Sequence, residues 1–368
     1  MGSAEKHLQI QDLYTYFYSQ EKRAFIRAVN GVSLDVYRGE TLGIVGESGS
    51  GKSITMLSIM GLISASPGVL KGDVRLQTRG GEIEVLRGLD RYVTLQEENG
   101  HILEVNKNLD GWQRNQERNM AQIRGKEVSM IFQNPKQAFN PFSTVGTQIA
   151  EMVRLHTPAT SKAESKEKAI EWLQKVKIDA PADRYFNYPY GLSGGMCQRA
   201  MVAMALSSEP SFLIADEPTT GLDATIQSRV IELLEEMQKE TGISMVLISH
   251  DISVISRLSD RIAVMYGGMV MEVGPSQRLL AKKNDNRHPY TEALLSSIPS
   301  KDNIIKGGYL KSIEGEVPNN VDVSRGCRFA SRCQKKIGKK CENEQPPLIS
   351  LEEGHQVRCW LFSDQGRG

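Results

Sequence analysis

"GESGSGKS", residues Gly46–Ser53, fills every fixed position of the pattern G-x-x-x-x-G-K-[ST]. Its glycines let the backbone wrap tightly, so that successive N–H groups point at phosphate oxygens. Lys52 is then placed to reach the β and γ phosphates of a nucleoside triphosphate, and the Ser53 hydroxyl to ligate Mg²⁺. Gly46, Glu47, Ser48, Gly49, Ser50, Gly51, Lys52 and Ser53 form the candidate phosphate-binding set. A glycine-rich strand–helix turn can be purely structural. The flanks argue otherwise: "TLGIV" before the loop reads as a strand, and "GKSITMLSIMGLI" opens a helix.

Further along the chain, "SFLIADEP" ends an apolar run in two carboxylates. Asp216 is placed to hold Mg²⁺, directly or through water, and Glu217 to polarise an attacking water. "SMVLISH" is a second short apolar run, closed by His250. A strand-end histidine is ordinarily structural, but a strand beside the phosphate-loop strand would aim His250 at the γ phosphate. Between the two runs, "ATIQSRVIELLEEMQKETG" reads as a helix stopped by glycine, giving a βαβ rhythm.

The remaining pattern predicts strands over 8–45 and 70–107, and a charged insertion or surface helix over 108–125. Helices are predicted over 161–177 and along "AMVAMALSSEP"; in the former, Ile170, Leu173 and Val176 share one face. Residues 300–326 read as a linker into a small appended module. The 368 residues carry 45 basic and 44 acidic side chains, a net charge of +1, which gives no reason to expect nucleic-acid binding. No apolar run approaches the roughly 18–20 residues that span a bilayer. The N-terminal stretch lacks the apolar core of a secretory signal, so a cytosolic, reducing compartment is expected.

"YGLSGGMCQRA" then narrows the class. Leu192-Ser193-Gly194-Gly195-Met196 resembles the LSGGQ signature of the ATP-binding-cassette (ABC) ATPases, with Met196 where glutamine is commonest. Gln133 in "MIFQNP" resembles the Q-loop glutamine, a further candidate contact of Mg²⁺ and of the catalytic centre. "GLDA" around Asp223 resembles the D-loop, and His250 the switch histidine. The resemblance covers roughly 5–275. It implies an α/β fold: a P-loop ABC-type nucleotide-binding domain with a RecA-like core, an antiparallel β subdomain and a helical subdomain at about 140–200. It also implies that Ser193, Gly194 and Gly195 face ATP held by another cassette. An aromatic residue near the N-terminus should stack on adenine; Phe25 is the choice, with Tyr16 and Tyr18 as competitors.

"HPYTEALLSSIP", "IEGEVP" and "GCRFASRC" resemble the C-terminal extension of oligopeptide/dipeptide-importer ATPases, which places an extension over 276–368. Two departures stand out: Cys197 follows the signature methionine, and 80–122 is longer than the family pattern needs. Four of the five cysteines, Cys327, Cys333, Cys341 and Cys359, fall in the tail with spacing C-x₅-C-x₇-C-x₁₇-C. Structural zinc sites usually show short C-x₂₋₄-C knuckles, and none is present. The wider spacing suits a [4Fe–4S] cluster better than zinc, with unligated or disulfide-linked thiols as the other readings, and the resemblance also implies a cluster. His355 is a substitute ligand candidate. Arg328, Arg332, Lys339 and Lys340 are placed to offset the charge of four thiolates. The tail's poverty in apolar residues predicts that it needs such a cross-link to fold.

The reading is thus an ATP-hydrolysing importer subunit. Its expected partners are a second cassette subunit (a paralogue or a copy), two permease subunits met by the region from Gln133 to Gln148, and an extracytoplasmic solute-binding protein. The expected location is the cytoplasmic face of the plasma membrane. The rival is a soluble DNA-repair or chromosome ATPase; importers of nickel or oligosaccharide use similar subunits. Against the rival, the phosphate loop and the signature lie only about 140 residues apart, without heptads between them.

Overall fold

The computed structural model describes residues 5–98, 101–157, 159–281, 286–297, 313–317, 320–321, 325–352 and 354–363. Most of the stretch expected to be a linker lies outside them.

Two long strands, β1 (Lys6–Ser19) and β2 (Ala24–Tyr37), precede β3 (Thr41–Val45), which leads into the phosphate loop. After the helix Lys52–Ile59 come β4 (Pro67–Thr78) and β5 (Gly81–Glu84), then the hairpin β6 (Val93–Glu98) and β7 (His101–Lys107). The core strands are β8 (Val128–Ile131), β9 (Phe212–Asp216), β10 (Ser244–Ile248), β11 (Arg261–Tyr266) and β12 (Met269–Pro275); β13 (Ile349–Glu352) and β14 (His355–Val357) come last. They form an antiparallel sheet in the order β2-β1-β4-β5 and an eight-stranded sheet in the order β13-β14-β12-β11-β3-β10-β9-β8.

From β11 to β8 the large sheet is parallel. Its strands are buried on both faces, which is why they read as unbroken apolar runs. Alternate residues feed two different cores. Ile44, Ile214 and Val246 pack with the antiparallel sheet and the helix after the loop. Leu213, Met245 and Leu247 pack with the helical region. Each short run thus clamps two layers together.

The helices Val145–His156, Lys162–Lys175 and Gly194–Leu206 make up the helical region. The second begins with a reciprocal capping box between Ser161 and Glu164, and Leu173 and Val176 are buried as their spacing predicts. The helix Ala224–Thr241 stops at Gly242, whose φ of 66° closes it in the left-handed conformation.

Two expectations are corrected. Residues 108–125 include the helix Leu109–Met120, but it is not merely a solvated face: Trp112, Gln116 and Met120 are buried, and Trp112 and Met120 join the core beneath the antiparallel sheet. The tail is not a self-standing module. Its strand β14 pairs with β12, and Cys327, Phe329, Ala330 and Cys341 belong to the core of the helical region. The tail uses apolar surface that the rest of the chain supplies, so its own composition understated what it can bury.

Candidate functional site

The register of the parallel strands assembles the site. Ile248 stands level with both Asp216 and Ile44, so β3, β9 and β10 end together. Ligands of open parallel sheets bind beyond these carboxyl ends. The loop Gly46–Ser53, the pair Asp216–Glu217 and His250 all leave the sheet there.

Within the loop, Lys52 Nζ donates to the carbonyls of Gly46 (2.8 Å) and Glu47 (3.0 Å), drawing the loop into a ring. Gly51, at φ 99°, comes so close to Ala28 that an added Cβ would sit 2.3 Å from its carbonyl oxygen. No other residue fits there. Burial lowers the pKa of Lys52, against the raising influence of Glu217, Asp216 and Glu47. A bound polyphosphate would oppose that desolvation.

Ser53 Oγ donates to Asp216 Oδ1 at 2.8 Å. Burial raises the Asp216 carboxyl above its usual range, and the Ser53 hydrogen bond opposes the rise. Two facing oxygen ligands suit Mg²⁺, which takes one or two protein oxygens and completes its shell with water and phosphate. Glu217 adopts φ 46°, unusual for a residue with a side chain. Its carboxylate is the hub of the cluster: Oε2 accepts from Gln133 Nε2 (2.9 Å) and Thr220 Oγ1 (2.9 Å), and His250 Nδ1 lies 3.5 Å away. Gln133, Glu217 and His250, all singled out in the sequence, are brought together here with Thr220, which follows Glu217 by three residues and carries no motif of its own.

The signature turn lies near the segment that follows Glu217: a Cβ on Gly194 would sit 4.0 Å from Leu222. Ser193 is exposed and caps the helix Gly194–Leu206, accepting from Met196 N–H at 3.3 Å. Gly194 is exposed, whereas Gly195 is buried against the next helix, with Ile226 Cγ2 only 2.5 Å from where a Cβ would be. Asp223 caps that helix, accepting from Thr225 and Ile226 N–H at 3.1 and 3.0 Å. Cys197 is fully buried in the helical core, where burial pushes its thiol up to about 11. It stays neutral and takes no part in the exposed turn.

Of the three aromatic candidates for adenine, Tyr16 is excluded: it is 1% exposed and packed inside the antiparallel sheet's small core. Phe25 is half-buried and meets the exposed Tyr18 edge-on at 5.6 Å.

In the tail, all four cysteines are unpaired, Cys333 half-buried and the other three buried. Cys327 N–H donates to Cys341 O at 2.8 Å. Burial pushes the Cys327 thiol up to about 11 and that of Cys359 up to about 12, and the neighbouring thiols add to both rises. Among the described residues, however, no group of three or more His, Cys, Asp or Glu side chains is arranged to hold a metal ion. His355 Nε2 is bound to Glu272 Oε1 (2.8 Å), and both side chains lie in the interior. Arg332, expected to offset thiolate charge, instead grips Glu47 of the phosphate loop (2.7 Å), and Lys340 stacks on Trp360 at 4.0 Å.

A parallel sheet with this loop, a serine–aspartate pair and a polarised carboxylate at its carboxyl edge defines a P-loop nucleoside triphosphatase. The family is narrower. Residues 29–220 match the family model "ABC transporter", and residues 271–341 match "Oligopeptide/dipeptide transporter, C-terminal region". The chain is 41% identical over 360 residues to the oligopeptide transport ATP-binding protein AppD of Bacillus subtilis, covering 98% of each chain. It is 38% identical over 363 residues to the dipeptide transport ATP-binding protein DppD of Escherichia coli, again covering 98% of each. The solved dimer of a bacterial ABC transporter cassette shares its fold, with a TM-score of 0.56 and 24% identity over 73% of this chain and 98% of that one. This chain belongs to the ABC transporter family of ATP-binding proteins. No helix among the described residues is long and apolar enough to cross a membrane.

Proposed function

We propose that this chain is the ATP-hydrolysing subunit of an importer for dipeptides or oligopeptides, working through separate permease subunits and an extracytoplasmic solute-binding protein. The carrying observation is the end-to-end similarity to ATP-binding proteins of oligopeptide and dipeptide transport, which includes the C-terminal region. Nothing comparable favours the DNA-directed reading.

In this reading residues 5–275 are the catalytic cassette and 276–368 its extension. Phe25 stacks on adenine, and Gly46–Ser53 enclose the phosphates. Ser53 and Asp216 would hold Mg²⁺, with Gln133 as a further contact, and the ion would offset the negative charge of the β and γ phosphates. Glu217 takes a proton from the attacking water as general base. Gln133, Thr220 and His250 orient its carboxylate, and His250 also faces the γ phosphate. Ser193, Gly194 and Gly195, at a helix start with its positive dipole end, face the triphosphate held by a second cassette, with Asp223 at the same junction. Closure on ATP drives the permease, which docks along Gln133–Gln148 at the cytoplasmic face of the membrane, and hydrolysis reopens the pair.

The tail thiols, Cys327, Cys333, Cys341 and Cys359, are proposed to hold a [4Fe–4S] cluster. Support comes from the soft four-sulfur donor set and its C-x₅-C-x₇-C-x₁₇-C spacing, not from a preformed site, since among the described residues no three such side chains are arranged to hold a metal ion. Iron and sulfide assays of anaerobically purified chain check this; zinc without iron ends it. The transport reading is tested by ATPase assay of the chain reconstituted with its permease. Stimulation by peptide-loaded binding protein is the expected result, and stimulation by duplex DNA instead would overturn it.

A further inference from the structure

Glu47 is the second residue of the phosphate loop, and the tail grips it from two sides. Its N–H donates to Tyr290 Oη at 2.9 Å. Its carboxylate receives a two-pronged contact from Arg332, Nη1 to Oε2 at 2.7 Å and Nη2 to Oε1 at 3.1 Å. The rest of the guanidinium is also engaged: Nε donates to Glu314 O (2.9 Å), Nη1 to Tyr266 Oη (3.2 Å) and Nη2 to Ile313 O (3.2 Å). All five N–H groups of Arg332 are thereby used, in a geometry lysine cannot reproduce. The side chains of Arg332 and Glu47 are 4% and 22% exposed, so salt screens their attraction little. Asn320 Nδ2 adds a contact to Gly49 O at 3.2 Å.

These contacts are embedded in rigid surroundings. Tyr290 is fully buried, its ring 4.6 Å from that of Tyr266. The chain entering Tyr290 is fixed in turn: His288 N–H donates to the buried Glu272 (3.0 Å), and His288 Nδ1 accepts from Tyr290 N–H (2.9 Å). The loop itself carries glycines at positions 46, 49 and 51, all at positive φ. Such a loop is costly to order when a ligand arrives. A brace that orders it during folding removes this cost from binding.

We infer that Arg332, with Tyr290, is a positioning residue for nucleotide binding, acting from the tail through Glu47 to hold the phosphate loop ready for ATP. The inference rests on the reading that the loop binds ATP. It assigns the tail a task at the nucleotide site that does not depend on what the four thiols bind.

The test is steady-state ATPase kinetics of the full-length chain in its complex, together with titration of the full-length chain by a fluorescent ATP analogue. Arg332→Gln raises KM for ATP and the dissociation constant about tenfold, with kcat within about twofold of wild type. Arg332→Lys falls between the two. A fall in kcat at unchanged KM overturns the inference, because that is the mark of a merely structural role. So does an Arg332→Gln chain that binds the analogue like wild type. If Arg332→Gln fails to fold, Tyr290→Phe, which removes a single oxygen, carries the same test: KM rises several-fold, or the inference fails. Wild type that binds no analogue overturns the nucleotide reading itself.

Discussion

Two glycine-rich turns in this chain each lead into a helix, and they differ in how much of their surroundings the chain supplies. At Gly46–Ser53 the ring is closed by Lys52, faced by Asp216 and braced by Arg332 and Tyr290. At Ser193–Gly194 the turn is capped by its own serine and otherwise exposed. One turn is finished within the chain; the other presents an exposed serine and glycine at a helix start. The contrast is the one that the proposed sandwich of ATP between two cassettes requires: one phosphate loop completed within the chain and one exposed turn left for a second cassette.

The comparison can be broken at either end. Glu217→Gln keeps the shape and the contacts of the first site and removes its base, so turnover falls by about 10²–10⁴-fold while ATP binding persists. Near-normal turnover would take Glu217 out of the chemistry. Ser193→Asp preserves a side-chain acceptor for the helix cap and sets a negative charge on the exposed turn. The account expects a loss of turnover of at least about tenfold with unchanged nucleotide binding to the isolated chain, since like charges then meet across the interface. Unchanged turnover would mean that the turn faces no phosphate. Gly195→Ala sharpens the contrast between packing and recognition. Its Cβ would strike Ile226, so urea unfolding should show a loss of about 1–3 kcal/mol. An unaltered midpoint would show that the two helices separate freely.

What could be read in the sequence was local. The phosphate loop, the Asp216–Glu217 pair and the helical spacing over 161–177 are written in consecutive or nearly consecutive residues, and each has a short-range physical signature. Parallel pairing of β9 and β10 beside β3 followed from short apolar runs separated by a helix. The brace on Glu47 was not legible, because Tyr290 and Arg332 lie 243 and 285 residues away and nothing in their spacing points to the loop. Polar composition also misled. It hid the buried Trp112 and Met120 in the insertion, and it made the tail look unable to fold when Phe329 and Ala330 share the main core. Cys197 stood out beside the signature, but the helix turns it inward, away from the exposed serine.

The central claim, that two chains complete each nucleotide site, is tested most directly by diluting the purified chain and following ATPase activity per chain, with and without an excess of the second cassette subunit. The account predicts that activity per chain falls towards zero on dilution and returns when the partner is supplied. Activity per chain that stays constant at every dilution would contradict it.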